Sequence, residues 1–547
     1  MENKQAPTSP ESSIQPSGGQ RGFAEWKWKG TIAVIYMTSL INGYDVSNVA
    51  NIQPRLYEAF GGIELLPWIG LSYSLANFAV LSLGRKATYC FDLRIIYLTS
   101  LAIFLAGSAV AGSAKSLTTV IVGRVIMGVG GAMVQQTNMS YMAVFATAAE
   151  TPGLFGTMSA MWAVGLVVGG PIGSAFAENA HATWRWAFYL NLPLVGLGFL
   201  ISAFCVPTHS FATQISILTR LRKADPLGML FNIALPVIFA IALTFSGPIW
   251  DWGSPNSIAV WVVFGVGLVA WWAQQYFCIF TTPKDRAFPM HMLRRLDLMP
   301  IWLASGCAGA SYAVTLYYSP LFFAFVKGHD ALAQTVRLLP FILPFIVVVM
   351  CTGALLPLFG RYKIIYILAG TFTVVGAAAL SSTLKVDVSE SQVMGFEAML
   401  GIGLGLQFQH GFGVSNVINK DARDRVDSTV ICNMFQMGAI STILSVAGCI
   451  FQNVGYSLLV DAVGGEGFSD HDIREALAGV SSPIWRTGDQ AVLRSGLEAV
   501  TKVIAKEFYI VIATGALCLV CGALMKWEKL DYGRKKPAKK QESGDSS

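Results

Sequence analysis

The sequence predicts an all-α polytopic membrane protein, and three observations lead there. First, 54% of the 547 residues are hydrophobic and only 13% are charged, with a mean hydropathy of +0.55, whereas soluble domains carry about 25% charged residues. Second, apolar stretches long enough to cross a bilayer, about 20 residues each, recur along the chain. Third, the basic residues sort to one side of those stretches. The 54 Gly and 22 Pro are scattered, which excludes a collagen-like chain, and so high an apolar fraction excludes a disordered one. The net charge of +6 is spread over short clusters without interleaved aromatics, so nucleic-acid binding has no support.

Taken in order, the apolar stretches lie near 30–50, 64–83, 94–113, 116–138, 152–177, 186–206, 226–246, 256–278, 297–323, 333–359, 362–382, 394–416, 428–450 and 507–526, giving fourteen expected spans. Pro320, Pro340, Pro344 and Pro357 blur the ninth and tenth. An even number puts both termini on one side. Segments on that side hold 26 Lys and Arg, the opposite segments hold 11, and Arg124 alone lies within a span. The excess of positive charge places both termini in the cytosol.

Residues 1–29 are rich in Ser, Pro, Gly and Gln and are expected to be a disordered cytosolic tail with no cleaved signal peptide. Residues 527–547 read as a basic cytosolic tail, and 454–505 as a long outer loop. Within that loop Ser469 is placed to cap a helical turn starting at Asp470, and apolar residues recur at helical spacing from Asp489 to Lys506, which suits an outer cap. The sequon at Asn138 falls at the cytosolic end of span 4, where no glycosylation is expected. The nine Cys lie in or beside apolar stretches, so no disulfide framework is expected; Cys518 and Cys521 form a C-x-x-C pair inside span 14 that suits helix packing.

Ionisable residues inside spans are costly and usually functional. Asp45 lies roughly 22 Å into span 1, and Arg124 lies roughly 21 Å from the cytosolic end of span 4, counted at about 1.5 Å per residue. At matching depth the two are candidates for proton coupling, since burial and a nearby Arg push a carboxyl in opposite directions; a static ion pair between the helices is the other reading. Tyr44 and Asn48 sit beside Asp45 on a face with amide character, and Gln407, Gln409 and His410 in span 12 and Asn433 and Gln436 in span 13 add polar groups. These seven are candidates for substrate binding, or for hydrogen bonding between helices. Tyr312, Tyr317 and Tyr318 add aromatic surface that suits planar organic compounds. Gly156, Gly165, Gly169 and Gly173 form a ladder in span 5 with Pro171 beside it, read as one face for close helix approach; Gly401, Gly403 and Gly405 in span 12 are a weaker version. No phosphate-binding loop, H-E-x-x-H, G-x-S-x-G or Cys/His metal set occurs, so neither a nucleotide-driven motor nor an enzyme is expected.

Several stretches occur together: YDVSNVANIQP in span 1, IVGRVIMGVGGA in span 4, the span 5 ladder, WRWAFYLNLPL at 184–194, VRLLPFI at 336–342 and SGPIWDWGS between spans 7 and 8. With these motifs the chain resembles the major facilitator superfamily from about residue 30 to 526, in its fourteen-span drug:proton antiporter branch, and is most similar to fungal members that export toxins and other secondary metabolites. The resemblance makes Asp45 the acidic residue of the first motif, Arg124 the arginine of the second, with Gly128 after it, and Gly165, Gly169 and Gly173 glycines of the antiporter motif. It departs in two places. The loop between spans 2 and 3, usually G-x-L-x-D-x-x-G-R-[RK], here reads GRKATYCFDLR: Gly84 and Arg85 open it, Thr88 replaces the acid and Phe91 the second glycine, leaving Asp92 or Arg94 to take over the latch. In span 5, Gly170 stands where proline is expected and Pro171 follows.

The resemblance implies an N-terminal six-helix bundle over 30–206, a cytosolic link with Arg220, Arg222 and Lys223 and two inserted helices over 207–296, and a C-terminal six-helix bundle over 297–526. It implies a monomeric plasma-membrane exporter of small amphipathic organic compounds, driven by the proton gradient without a cofactor; the vacuolar membrane is the other location. An uptake carrier for a nutrient or siderophore is the alternative, although the P-E-S-P-R signature of sugar porters is absent after span 6, where Val206-Pro207-Thr208-His209 stands. A flux-free sensor would need more than the short basic segment after Trp527.

Overall fold

The computed structural model describes residues 22–532 apart from 61–64, 180, 182, 212–218, 220–224, 284, 480 and 481. Residues 1–21 and 533–547 of the expected tails, and Arg220, Arg222 and Lys223 of the expected link, lie outside the described residues. The helices are α1 (Glu25–Phe60), α2 (Leu66–Cys90), α3 (Leu93–Gly112), α4 (Leu117–Phe145), α5 (Thr151–Glu178), α6 (Trp186–Tyr189), α7 (Asn191–Cys205), α8 (Pro226–Phe245), α9 (Pro255–Phe277), α10 (Met299–Lys327), α11 (Ala331–Arg337), α12 (Leu339–Phe359), α13 (Tyr362–Thr383), α14 (Glu390–Gln407), α15 (His410–Ile418), α16 (Ala422–Val463), α17 (Asp470–Ala478) and α18 (Gln490–Leu524).

Side-chain caps start many of them. Asp92, Ser116, Ser254, Asp330, Asp421 and Asp489 each accept a backbone N–H of the first turn. Gly328 and Gly360 end α10 and α12 at positive φ, which glycine adopts without strain. α1 begins at Glu25, inside the segment expected to be tail, because Trp28 is buried against Phe145. Ser469 and Asp472 form the capping box of α17. The expected outer loop is shorter than 454–505, because α16 runs on to Val463 and α18 already begins at Gln490.

Eleven helical stretches among the described residues are long and apolar enough to cross a membrane. The segments expected near 30–50, 64–83 and 394–416 form α1, α2 and the α14–α15 pair, which are not among the eleven. α1 carries Asn42, Asp45 and Asn48, α2 carries Ser72, Ser74 and Asn77, and α14 stops at Gln407 where the chain breaks before His410. By length and apolarity, eleven of the fourteen expected spans are matched among the described residues.

α1–α7 pack mainly on one another, as do α10–α18; α8 and α9 pair, and α8 leans on α2 and α16. The halves meet where α5 lies against α12 and α15 and where α2 and α4 lie against α16. α9 keeps Val262, Val266, Val269, Trp272 and Phe277 exposed, an apolar surface suited to lipid. Contacts of Phe145 with His209, of Arg85 with Asp427, of Arg295 with Asn419 and of Lys363 with the Met525 carbonyl gather at the end of the bundle where α1 begins and α18 finishes, the terminal face.

The span 5 ladder closes α5 onto α1. A Cβ on Gly165 would strike the Leu40 carbonyl oxygen, and Gly169 and Gly173 meet the backbone of Tyr44 and Asn48. Gly156 does not belong to that face. Nine residues are two and a half turns, so it points the other way, to Val349 and Gly353 of α12 in the opposite half. Pro171 lies within α5 and is accommodated there.

The inserted pair is docked by one buried carboxylate. Asp225 accepts from Gly228 N at 3.0 Å, Gln274 Nε2 at 2.9 Å, Gln275 Nε2 at 3.0 Å and Ala287 N at 2.8 Å. It thus ties the start of α8 to the end of α9 and the segment beyond.

If the α1–α5 approach sets the fold, Gly165→Ala should lower the thermal midpoint of the detergent-purified protein, with an overpacking cost of about 1–3 kcal/mol. Gly196→Ala on α7, where nothing lies within 4 Å of the added carbon, should leave it unchanged or slightly raised. Equal midpoints for the two variants would sink this account.

Candidate functional site

Asp45 and Arg124 form an ion pair through Oδ2 and Nη1, with the residues 0% and 2% exposed. Two buried charges are tolerated only when their remaining donors and acceptors are satisfied. Asn191 Nδ2 donates to Asp45 Oδ1 at 3.2 Å, Arg124 Nε donates to the Ile69 carbonyl at 3.2 Å, and the guanidinium lies over the Tyr73 ring, 4.5 Å from its centre. Tyr73 is held in turn by Asn42, whose Nδ2 donates to its hydroxyl at 2.9 Å. The matched depths read from the sequence thus bring the two together, and α1, α2, α4 and α7 all contribute.

Tyr44 and Asn48 flank the pair without facing the other half. Both donate to the Ala187 carbonyl, at 3.0 and 2.8 Å, and so hold the short α6 turn that leads into Asn191. The remaining candidates gather where the halves meet. Asn433 Nδ2 donates to Gln136 Oε1 across the interface at 3.2 Å, and Gln436 Nε2 donates to the Phe408 carbonyl at 2.9 Å. The Cys518 thiol donates to Gln407 Oε1 at 2.8 Å. Gln136 Nε2, Gln407 Nε2, Gln409 Oε1, Asn433 Oδ1 and Gln436 Oε1 are buried without a hydrogen-bond partner. The His410 ring lies near the Gly405 backbone, with hydrogen-bond geometry at neither nitrogen. Beside these amides Trp162 of α5 stacks on Phe408 at 5.4 Å and tilts against Tyr312 at 4.9 Å. Tyr318 is buried, whereas Tyr317 is half exposed on the outside of α10. In this arrangement the rings pack on one another and the amides are buried, so the surface is closed to solvent.

At the terminal face the latch is not formed by Asp92 or Arg94. Asp92 accepts from Arg94 N as the cap of α3, and the Arg94 side chain donates to the Ala203 carbonyl, so both serve their own half. Arg85 carries the bridge. Its Nε and Nη2 donate to the two carboxylate oxygens of Asp427 on α16 at 2.7 and 2.9 Å, and Nη1 reaches the Arg286 and Ala287 carbonyls. Tyr89 adds a hydrogen bond to Asp427 Oδ1 at 2.8 Å, and the Lys86 ammonium donates to the Asp285 carbonyl. Gly84 packs against Met133, leaving α2 close to α4. Burial lowers the His291 imidazole below its ordinary range against the pull of Asp427, so near neutral pH Arg85 is the cation that holds this carboxylate.

A family model described as the Major Facilitator Superfamily matches residues 35–452. The chain belongs to this superfamily. Among curated proteins it is similar to the efflux pump patC of Aspergillus clavatus, 32% identical over 93% of this chain and 92% of that one. It is 31% identical to the MFS-type transporter patC of Penicillium expansum over 95% of each chain, and 30% identical to the efflux pump alnA of Emericella nidulans over 92% of this chain and 91% of that one. Among solved structures, the D-xylose-proton symporter shares the fold with a TM-score of 0.56 at 12% identity, covering 93% of this chain and all of that one. The human organic anion transporter MFSD10 (TETRAN) gives 0.52 at 11%, over 89% and 99%. The transporter fold and the relatives point away from an enzyme.

For a transporter of this superfamily the sequence reading missed several residues. Asn191 stands inside the quoted motif WRWAFYLNLPL, where an amide in an apolar run was the available signal. Asp427 falls one residue before the expected span 13, so its burial was not foreseen. Arg124 and Asp45 are also not the only ionisable residues buried in apolar helices, since Glu397 and Glu507 are 0% exposed.

Removing one partner of a buried pair costs on the order of 3–5 kcal/mol. Asp427→Ala should accordingly lower the thermal midpoint and the transport rate in vesicles, and exchanging the partners, Arg85→Asp with Asp427→Arg, should recover part of both. An Asp427→Ala variant indistinguishable from the parent in both measurements would show that the bridge does not hold the halves.

Proposed function

We propose that this chain is a proton-coupled exporter of small amphipathic organic compounds, such as drugs, toxins or secondary metabolites. The observation that carries the reading is the buried Asp45–Arg124 pair, one helix away from an inter-half surface of unpaired amides and aromatic rings. The names of the relatives in Aspergillus clavatus and Emericella nidulans, both efflux pumps, support the outward direction. The bias of basic residues supports cytosolic termini, and with them a substrate path from the cytosol or inner leaflet to the outside of the plasma membrane.

Asp45 cannot pair fully with Arg124 and carry a proton at once. Protonation removes its charge and releases the guanidinium, which must then find its partners in the Ile69 carbonyl and the Tyr73 ring. Because Asn191 and Arg124 bind Asp45 from two other helices, the exchange of a proton for an ion pair is felt in helix positions. Rocking of one half on the other about the amide and aromatic surface then alternates access. In this scheme Gln407, Gln409, His410, Asn433 and Gln436 contact substrate, Tyr44 and Asn48 keep the carboxylate's surroundings in place, and opening of the Arg85–Asp427 bridge admits substrate. The transporter works as a monomer.

The test begins with a strain expressing the chain and its deletion counterpart, compared across a panel of labelled drugs and fungal metabolites. Export predicts lower retention in the expressing strain, and uptake predicts higher. With a compound found this way, Asp45→Asn should lower the thermal midpoint, since a buried partner is lost, and abolish efflux driven by a pH gradient in reconstituted vesicles, while exchange of the compound across the vesicle membrane without a gradient persists and shows that the variant is folded. Gradient-driven efflux at the parental rate in that variant would remove Asp45 from the coupling.

A further inference from the structure

Two buried carboxyls of the α10–α18 half take no part in anything described so far. Glu397 on α14 and Glu507 on α18 are fully buried, and among the described residues neither carboxyl has a cation as partner; the Ser319 hydroxyl is the hydrogen-bonding neighbour of Glu397. They approach α10 at consecutive residues. Ser319 lies beside Glu397, and Tyr318 and Cys449 of α16 lie close enough to Glu507 to feel its charge. Glu397 lies about two turns from the start of α14, and Ser319 about two turns from the end of α10. The group therefore sits towards the face opposite the termini.

The charged groups on the surrounding elements are engaged elsewhere. α12 has none. Lys327, the one charge of α10, donates to the Val386 and Val388 carbonyls, and Lys363, the one charge of α13, donates to the Ala523 and Met525 carbonyls. Glu390 of α14 takes His329 and Arg337, and Arg494 of α18 takes Asp387 and Glu498. The charges of α16 from Arg423 to Asp427 belong to the terminal face, and its Asp461 is exposed. On α18 itself Lys502 is exposed and Lys506 half-buried. A lone carboxylate in a dry core costs far more than the neutral acid, so a carboxyl kept here without a cation carries a proton. A metal ion would need several oxygen ligands converging on one point, whereas here each carboxyl has one neutral side chain of α10 near it.

We propose that Glu397 and Glu507 form a second proton-binding site, separate from the Asp45–Arg124 pair and loaded from the face opposite the termini. A proton adds to a carboxylate oxygen when the site is open to water and is shut in with the neutral acid when the helices close, as they are here. The protons moved in one cycle then exceed the one that Asp45 carries. The site stands whether or not Asp45 is the coupling residue.

Infrared difference spectra between acidic and alkaline buffer, on the full-length protein in phosphatidylcholine vesicles, report titrating carboxyls through the C=O stretch of the protonated form. Glu397→Gln and Glu507→Gln, both close in shape to the parent, should each remove one such band, in the parent and in Asp45→Asn alike. Glu397→Asp, which keeps the carboxyl, should retain a displaced band, and the thermal midpoint checks that each variant is folded. Retention of either band in its Gln variant overturns the two-carboxyl site. Loss of both bands in Asp45→Asn alone overturns its independence without bearing on the direction of transport.

Discussion

The structure depends on keeping one carboxylate and one guanidinium out of water. Desolvating each ion costs several kcal/mol, and mutual attraction repays that only when every remaining lone pair and N–H is placed. Asp45 and Arg124 are met by Asn191 of α7 and by the Ile69 carbonyl and Tyr73 ring of α2. The demand propagates outward. Asn191 is in position because Tyr44 and Asn48 both hold the Ala187 carbonyl, and α1 presents those two residues at the right height because glycines let α5 lie against its backbone. The close helix contact and the buried charge pair are parts of one solution.

The two halves use their polar side chains differently. Around Asp45 the amides and hydroxyls of Asn42, Tyr44 and Asn48 donate inside their own half, although Asn48 Oδ1 and Asn191 Oδ1 accept nothing. Across the interface Gln407, Gln409, Asn433 and Gln436 keep unmatched donors or acceptors, and the chain between α14 and α15 breaks beside them at Phe408 and Gln409. Buried capacity of this kind is costly unless something else fills it for part of the time. The cost is shared by both halves, since Gln136 Nε2 on α4 is unpartnered at the same interface.

What the sequence made legible follows from contrast. Against so apolar a background Asp45 and Arg124 stand out, and counting residues along two antiparallel helices suffices to match their depths. Most helices were legible for the same reason, since about 20 apolar residues leave few alternatives. Contacts between distant segments were not. Nothing near Arg85 in the chain indicates that its acid is Asp427, 342 residues later, and the substituted loop motif directed attention to Asp92, which caps its own helix. Glycine spacing was legible at intervals of four and misleading at nine, where half a turn carries Gly156 to the other side of α5. Asp225 looked like part of a cytosolic link, although its four donors lie at the start of α8, at the end of α9 and in the segment beyond.

The terminal face shows how the bundle can still move. Driving a two-state equilibrium from 1:99 to 99:1 takes about 5.5 kcal/mol, and breaking a buried ion pair costs about 3–5 kcal/mol when its charges stay buried. Arg85 and Asp427 differ from Asp45 and Arg124 in lying at the terminal face of the bundle. His291 beside them is half exposed, so rehydration returns part of the cost. A bridge of this kind favours the closed face without locking it, within reach of the energy that substrate binding supplies. The Asp45–Arg124 pair has no such outlet. Asp45 and Arg124 are buried on all sides, so in the proposed cycle a proton on Asp45 would take the place of the cation, while the Arg85–Asp427 bridge would act as the gate.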